Sequence, residues 1–222
     1  MKTRTYTKTG AEISLLGLGC MRLPVIEPGK PAIDEEKAME MVDTAMARGI
    51  NYYDTAWFYH ERTSEAFMGK ALSRFDRDSY YLATKMPVSI LEKEEDIPTI
   101  FAKQLENLQT DHFDFYLCHA LSASNFEKME KMGVYEFLKQ KKDEGVIRQL
   151  GFSSTIPSRC CAPSVTPTNG ISPRSSSTIW IGKCRTPQVS IRCWRSAASL
   201  SSSWSRCAAV CWPTLATMPT QC

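Results

Sequence analysis

Three groups that titrate or carry charge, Asp54, Lys85 and His119, close three successive apolar stretches: Ile50 to Asp54, Tyr80 to Lys85 and Phe113 to His119. Tyr59 follows the first of them by five positions. Taken singly, each has an ordinary explanation. An aspartate after a strand caps a turn or a helix, a lysine sits in water, and a histidine at a strand end is a satisfied structural residue. Taken in register, they form an acid–base set. A free phenol titrates near ~10, too high for easy exchange near neutrality, and a neighbouring ammonium lowers that value by favouring the phenolate. A carboxylate beside the ammonium would keep it charged and in place. A tyrosine so placed can protonate an oxygen that gains negative charge during a reaction.

The elements that must position these groups are legible in the apolar pattern. Residues 4–14 read as a hairpin turning at Thr9-Gly10, followed by an apolar run from Leu15 to Leu18 and then Gly19-Cys20-Met21-Arg22. Asp34 is placed to cap a helix carrying Ala38, Met41, Val42, Ala45 and Met46 on one face, with Gly49 at its end. Ile50 to Asp54 reads as a short strand, Ser64 to Leu72 as a helix and Tyr80 to Lys85 as a strand. A helix from Asp96 with Pro98 in its first turn, a strand from Phe113 to Cys118, a helix from Val134 to Glu144 and a strand from Gln149 to Ser153 complete the series. Short apolar strands alternating with helices predict βα units and a parallel sheet buried on both faces. In a (β/α)8 barrel the active site lies at the C-terminal ends of the strands, where Asp54, Lys85 and His119 stand.

Five segments carry a resemblance. GLGCMRLP, GINYYDTAWFYHERTSEAFMGKAL, YYLATKMP, LENLQTDHFDFYLCH and GVIRQLGFS follow one another in order within residues 5–153. Together they resemble the first five strand–helix units of the aldo-keto reductase family. The resemblance implies a TIM-barrel-type α/β fold, here incomplete at about five units. It implies NAD(P)H-dependent reduction of an aldehyde or ketone to an alcohol, with a small carbonyl compound as partner, and an N-terminus without a signal-peptide apolar core makes the cytoplasm the expected location. Carried over residue by residue, it makes Asp54, Tyr59, Lys85 and His119 the catalytic set, with Tyr59 the general acid and His119 bonded to the substrate oxygen. It places Gly19, Cys20 and Met21, with Arg22, along the nicotinamide and substrate edge, Ser153 on the carboxamide, and Trp57 as a wall of the substrate pocket. His60 and His112 are expected on the surface. NADP(H) is the family habit, with NAD(H) open, and no metal is assigned. A non-enzymatic alternative on the same barrel is a nucleotide-binding regulatory subunit, as in the potassium-channel β-subunits. There is no GxGxxG to support a Rossmann cofactor site.

Charge divides the chain in two. All 24 Asp and Glu lie in residues 1–154, against twenty Lys and Arg there, whereas residues 155–222 carry seven basic residues and no acid. That second region also holds seven of the nine cysteines, four of the five tryptophans and thirteen serines. Its cysteines form no CxxC pair and it has no histidine, so a zinc module is excluded. Ferredoxin-type spacing is absent too, so no iron–sulfur cluster is assigned. The overall charge of +3 and the lack of any eighteen-residue apolar run give no reason to invoke nucleic acid or membrane. At face value the region would be a basic, cysteine-rich arm for a partner.

A different origin fits it better. Shifting the codons by one base takes the last base of one codon with the first two of the next. Trp180-Ile181 then forces Asp, Cys211-Trp212 forces Leu and Trp212-Pro213 forces Ala. With permitted synonymous choices, Arg159 to Ser172 reads LLRAIRDAYQWDF, Ser172 to Lys183 reads AQIQLNYLDWE, and Ser203 to Pro213 reads MEPLRGGVLA. These strings resemble units six to eight of the same family, in order. The expectation is a partial reductase barrel over 1–154 and an out-of-frame product over 155–222, with the slip near Ser153 or Ser154. Five strands cannot close a barrel, and the family elements that hold the cofactor's adenosine and phosphates would lie beyond the slip. The chain as written is therefore expected to have two open sheet edges, low stability and no activity.

Overall fold

A computed structural model of the protein describes residues 1–154 and 178–180. The out-of-frame reading of 155–222 therefore falls outside the described residues, except for 178–180.

The N-terminal hairpin forms as the sequence predicts. β1 (Thr3–Tyr6) and β2 (Ala11–Ser14) pair antiparallel. The Tyr6 carbonyl accepts from Thr9 and Gly10, and Gly10 takes the positive φ of 75° that the turn requires. The main sheet runs in the order β3 (Leu18–Gly19), β4 (Tyr52–Asp54), β5 (Tyr81–Met86), β6 (Phe113–Cys118), β7 (Ile147–Ser154) and β8 (Thr178–Trp180). The first five strands are parallel. Helices α1 (Glu35–Ala47), α2 (Ser64–Leu72), α3 (Asp96–Leu108), α4 (Ala123–Lys131) and α5 (Val134–Asp143) fill the connections. The fold is α/β, a partial TIM-type barrel. None of the described helices is long and apolar enough to cross a membrane.

Two details depart from expectation. Helix α4 is absent from the sequence reading because Ala123–Lys131 is polar, and only Phe126 and Met129 carry it onto the core. The last three residues of β7 also find a partner on the edge expected to be open. β8 pairs antiparallel along it, Phe152 with Trp180 and Ser154 with Thr178. Three residues of the region expected to lack strand character thus satisfy the last ladder positions of β7, because an unpaired edge leaves backbone groups without partners. Their direction is opposite to a barrel strand.

Local sequence explains the elements. The Asp34 carboxylate accepts from the Lys37 amide and caps α1, with Glu35 and Glu36 in the first turn. α3 buries Ile97, Phe101, Gln104 and Leu108, a stripe at helical spacing. Phe101 meets Phe113, Tyr116 and Phe137 edge-on at centroid distances of 5.2–5.6 Å. α2 approaches α3 so closely that a Cβ on Gly69 would lie 2.2 Å from the Asn107 carbonyl, which is why that position is glycine.

Strand alternation sorts the remaining side chains. Leu82, Met86, Tyr116 and Cys118 face the helices and build the main core. Tyr52, Ala83 and Phe115 face the barrel interior, where Ile13 of the hairpin packs on them. Tyr6 stacks edge-on to Phe115 at 5.8 Å and plugs the N-terminal end of the interior. Two residues further along the same inward rows come Asp54, Lys85 and Leu117, and then His119.

Candidate active site

The parallel register brings the three strand-end groups together, and the loop after β4 adds Tyr59. Gly19 pairs with Asp54, Asp54 with Ala83, and Lys85 with Leu117. Asp54 and Lys85 therefore project from neighbouring strands into the same end of the interior, Asp54 5% and Lys85 3% exposed. Lys85 Nζ donates to Asp54 Oδ1 at 2.6 Å, to the Thr55 carbonyl at 2.8 Å and to the Tyr59 hydroxyl at 3.4 Å. It also lies 5.0 Å from the centre of the Tyr59 ring. The three donors of the ammonium are thus all used.

Electrostatics follow from this packing. Burial works against the Lys85 charge, but Asp54 and then Tyr59 hold its pKa above the ordinary lysine value. For Tyr59 the balance goes the other way. Burial raises the phenol, Lys85 opposes that, and burial prevails, so Tyr59 lies above 10. The expected lowering by Lys85 is present as a contribution, outweighed by removal of the ring from water. His119 is pulled down to about 3, first by burial and then by the Lys85 charge, and so is a neutral imidazole at physiological pH. Its amide donates to the Met86 carbonyl at 2.9 Å, and its ring stands edge-on to Tyr59 with centroids 6.1 Å apart.

Among the described residues, the buried polar atoms Asp54 Oδ2, His119 Nδ1 and Trp57 Nε1 have no hydrogen-bond partner here, as Tyr6 Oη and His112 Nε2 have none elsewhere. Such atoms are costly in a finished core, and three around one cluster mark a site made to receive something.

The other sequence-predicted residues fall in different settings. Gly19 sits on β3 beside Asp54 with nothing within 4 Å of an added Cβ, leaving room at that strand end. Met21 is exposed. The Cys20 side chain is fully buried in the main core, burial raises its thiol well above the ordinary value, a backbone hydrogen bond joins it to Asp54, and its carbonyl accepts from Ser64. Ser153 Oγ accepts from the Ala120 amide at 2.9 Å, so its hydroxyl proton stays free to donate. Trp57 is half-buried, with the Arg62 guanidinium 5.7 Å over its ring. His60 is not a free surface residue. It is half-buried with both ring nitrogens engaged, to the Leu23 amide and the Pro31 carbonyl. His112, 17% exposed, has its Nδ1 on Asp111.

Sequence reasoning missed the layer behind Lys85. Buried Glu65 accepts from Thr84 Oγ1 at 2.5 Å and from Gln104 Nε2 at 2.6 Å, and Gln104 also donates to the Lys85 carbonyl at 3.1 Å. Burial raises the Glu65 carboxyl above its ordinary value. The available signal was an acid inside the otherwise apolar face of α2 and a glutamine on the core stripe of α3.

Comparison with known proteins gives concordant matches. The model of the Aldo/keto reductase family matches residues 15–162. The chain is 33% identical over 167 residues to the uncharacterized oxidoreductase YqkF of Bacillus subtilis, covering 71% of this chain and 50% of that protein. It is 31% identical over 140 residues to the methylglyoxal reductase DkgB of Escherichia coli O157:H7, covering 62% and 50%. Among solved structures, the holo form of the aldo-keto reductase AKR11C1 from Bacillus halodurans aligns with a TM-score of 0.56 at 32% identity, covering 71% of this chain and 52% of that one. The chain spans about half the length of the curated relatives it matches.

Proposed function

Because the chain belongs to the aldo/keto reductase family, we propose that residues 1–154 are the reacting half of an NAD(P)H-dependent carbonyl reductase, with Asp54, Tyr59, Lys85 and His119 as its catalytic residues. The observation that carries this reading is the buried Lys85 ammonium held between the Asp54 carboxylate and the Tyr59 phenol. Tyr59 gives its proton to the carbonyl oxygen as that oxygen becomes an alkoxide. Lys85 stabilises the phenolate left behind, and Asp54 keeps Lys85 charged. His119, neutral because it is buried, hydrogen-bonds the same oxygen without adding a second positive charge.

The nicotinamide cofactor supplies the hydride when bound. The residues fit its reacting end. The open space over Gly19 admits a ring, and the free Ser153 hydroxyl can donate to a carboxamide. Met21 and Trp57 border the substrate side. NADPH is the favoured form and a small aldehyde or ketone the substrate. A panel of small aldehydes with NADPH or NADH and the frame-restored protein, followed by absorbance of the reduced nicotinamide, tests the reading. Turnover that persists in Tyr59→Phe would sink it.

Residues 155–222 enter this proposal as an out-of-frame product. The support is the absence of acids there, together with family-like strings in the shifted frame. On this reading the 222-residue chain lacks the grip on the adenosine and phosphates and turns over no substrate, whereas the frame-restored protein does. Sequencing genomic DNA across the codons of Gly151 to Arg159 decides it. A gained or lost base there supports a slip, and an unbroken frame in which removal of 155–222 abolishes a partner interaction supports the arm.

A further inference from the structure

The turn that carries Tyr59 holds an unusual backbone. His60, Glu61 and Arg62 follow it with φ of 49°, 51° and 73°. None is glycine, and a Cβ disfavours this left-handed region. Three such residues in succession persist only where the surroundings over-determine them, and strain of this kind points to a functional constraint.

The surroundings are identifiable. At the base of the loop, Thr55 Oγ1 meets Ser64 Oγ at 3.0 Å, and Ser64 donates to the Cys20 carbonyl at 3.1 Å, so Thr55 is the donor of the pair. Within the turn, the His60 carbonyl accepts from the Thr63 hydroxyl at 2.7 Å and from the Thr63 amide at 3.1 Å. At the apex, among the described residues, the hydrogen bonds to the rest of the chain come from the His60 ring, beside the Arg62 guanidinium over Trp57. Nε2 lies 3.1 Å from the Leu23 amide nitrogen, and Nδ1 lies 2.9 Å from the Pro31 carbonyl oxygen. An amide N–H only donates and a carbonyl only accepts, so the ring carries its proton on Nδ1 and accepts at Nε2. Both partners belong to the segment between β3 and α1. That segment is itself braced by a bridge between Val25 and Ile33 and by the Asp34 amide on the Pro24 carbonyl. His60 therefore ties a strained turn to an independently held platform, directly beside Tyr59 in the chain.

We propose that His60 is a positioning residue: its two ring hydrogen bonds lock the left-handed turn onto the 23–33 segment and so hold the Tyr59 phenol over Lys85 and edge-on to His119. The inference rests on the reading of Tyr59 as the acid, but the geometry it claims is measurable without turnover. A residue with no ring at position 60 leaves Leu23 N–H and the Pro31 carbonyl without partners and lets the turn relax to ordinary φ, carrying Tyr59 with it. Glutamine has one acceptor and one donor on a side chain of similar reach and can replace both bonds.

The test uses the full 222-residue chain and the variants His60→Ala and His60→Gln. Two signals are read: amide hydrogen exchange at Leu23, and proton cross-relaxation between the Tyr59 and His119 rings. In His60→Ala, Leu23 exchange accelerates about tenfold, the effect of one lost hydrogen bond, and the ring–ring signal disappears, while β5 and β6 amides keep their protection. His60→Gln restores both signals. A ring–ring signal that survives in His60→Ala overturns the proposal. So does exchange in β5 and β6 that rises together with Leu23, which makes His60 a general stability residue, or a glutamine that restores nothing. Failure here leaves the acid role of Tyr59 standing. Conversely, turnover retained in Tyr59→Phe removes that role without touching the clamp.

Discussion

Two buried carboxylates sit at opposite ends of the same partial barrel, and they are served very differently. Asp114, 2% exposed at the N-terminal end of β6, uses both oxygens. Oδ2 accepts from Arg77 at 2.7 Å and from the Leu82 amide at 2.9 Å, and Oδ1 accepts from Arg148 at 2.9 Å. Asp54, at the C-terminal end of β4, accepts from Lys85 on Oδ1 and leaves Oδ2 buried without a partner. The first carboxylate is finished and the second is not. A protein meets the desolvation of a structural charge with every available donor. An oxygen left idle beside the Lys85 ammonium and the Tyr59 phenol fits a group with another task. The pairs also differ in their cations. Asp114 is met by guanidiniums, always charged and fork-shaped, whereas Asp54 is met by a lysine whose compact charge can bear on Tyr59.

The largest expected effect lies at the unfinished end. Tyr59→Phe keeps the ring and removes only the proton, so the frame-restored enzyme should lose about 10²–10⁴-fold in kcat with little change in its melting temperature. Steady-state kinetics with a small aldehyde, beside a thermal melt, reads both. A large fall in stability would mean that Tyr59 is structural.

The comparison itself is sharpened by changing each carboxylate. Asp114→Ala strands two arginines and the Leu82 amide, and should cost about 2–3 kcal/mol of stability, the range for hydrogen bonds to charged groups, without affecting a bound carbonyl. The double change Asp54→Asn with Lys85→Met replaces the buried pair by neutral groups of similar size. Such replacements are often neutral or stabilising, so it should melt at or above the parent temperature while abolishing turnover. Equal losses of stability at the two ends would break the distinction.

His119 supplies a pH test of the same end. Its pKa falls from the ordinary 6.5 to about 3 in the folded chain. Between those values the unfolded chain binds a proton that the folded chain refuses, so stability rises with pH. The contribution is fully present above 6.5 and is lost as pH falls, by about 2 kcal/mol at pH 5. Melts in denaturant at pH 7 and pH 5 should show that loss, and His119→Asn should flatten it.

Much of this was legible in the sequence because parallel-sheet geometry is repetitive. The spacing of apolar runs put Asp54, Lys85 and His119 at strand ends, while their inward direction is seen only in the structure. What was not legible depended on distance in three dimensions. Cys20 lies in a motif facing the site, yet its side chain turns into the core. His60 follows Tyr59 in a polar stretch and reads as surface, because its partners, Leu23 and Pro31, lie 37 and 29 positions away. The sign of the Tyr59 shift also required knowing how deeply the ring is buried, which spacing does not supply. β8 could not be foreseen, since its strand is defined by the open edge of β7 rather than by its own pattern.

A third carboxylate sets the lower end of the scale. Glu35 pairs with Lys70 at 2.5 Å, but the two side chains are 57% and 59% exposed. The distance matches the Asp54–Lys85 contact, so a contact list alone would rank the two pairs together. In water the Coulomb gain is screened and two long side chains must be held still, which leaves a net value of about 0–1 kcal/mol. Glu35→Gln should therefore change the unfolding free energy by no more than about 0.5 kcal/mol, with any loss disappearing at high salt. Its position in the first turn of α1 adds only a small favourable interaction with the helix dipole, also screened by salt. A loss near that of Asp114→Ala would show that proximity alone sets the value of these pairs, and the contrast between the two ends of the barrel would then need another cause than burial.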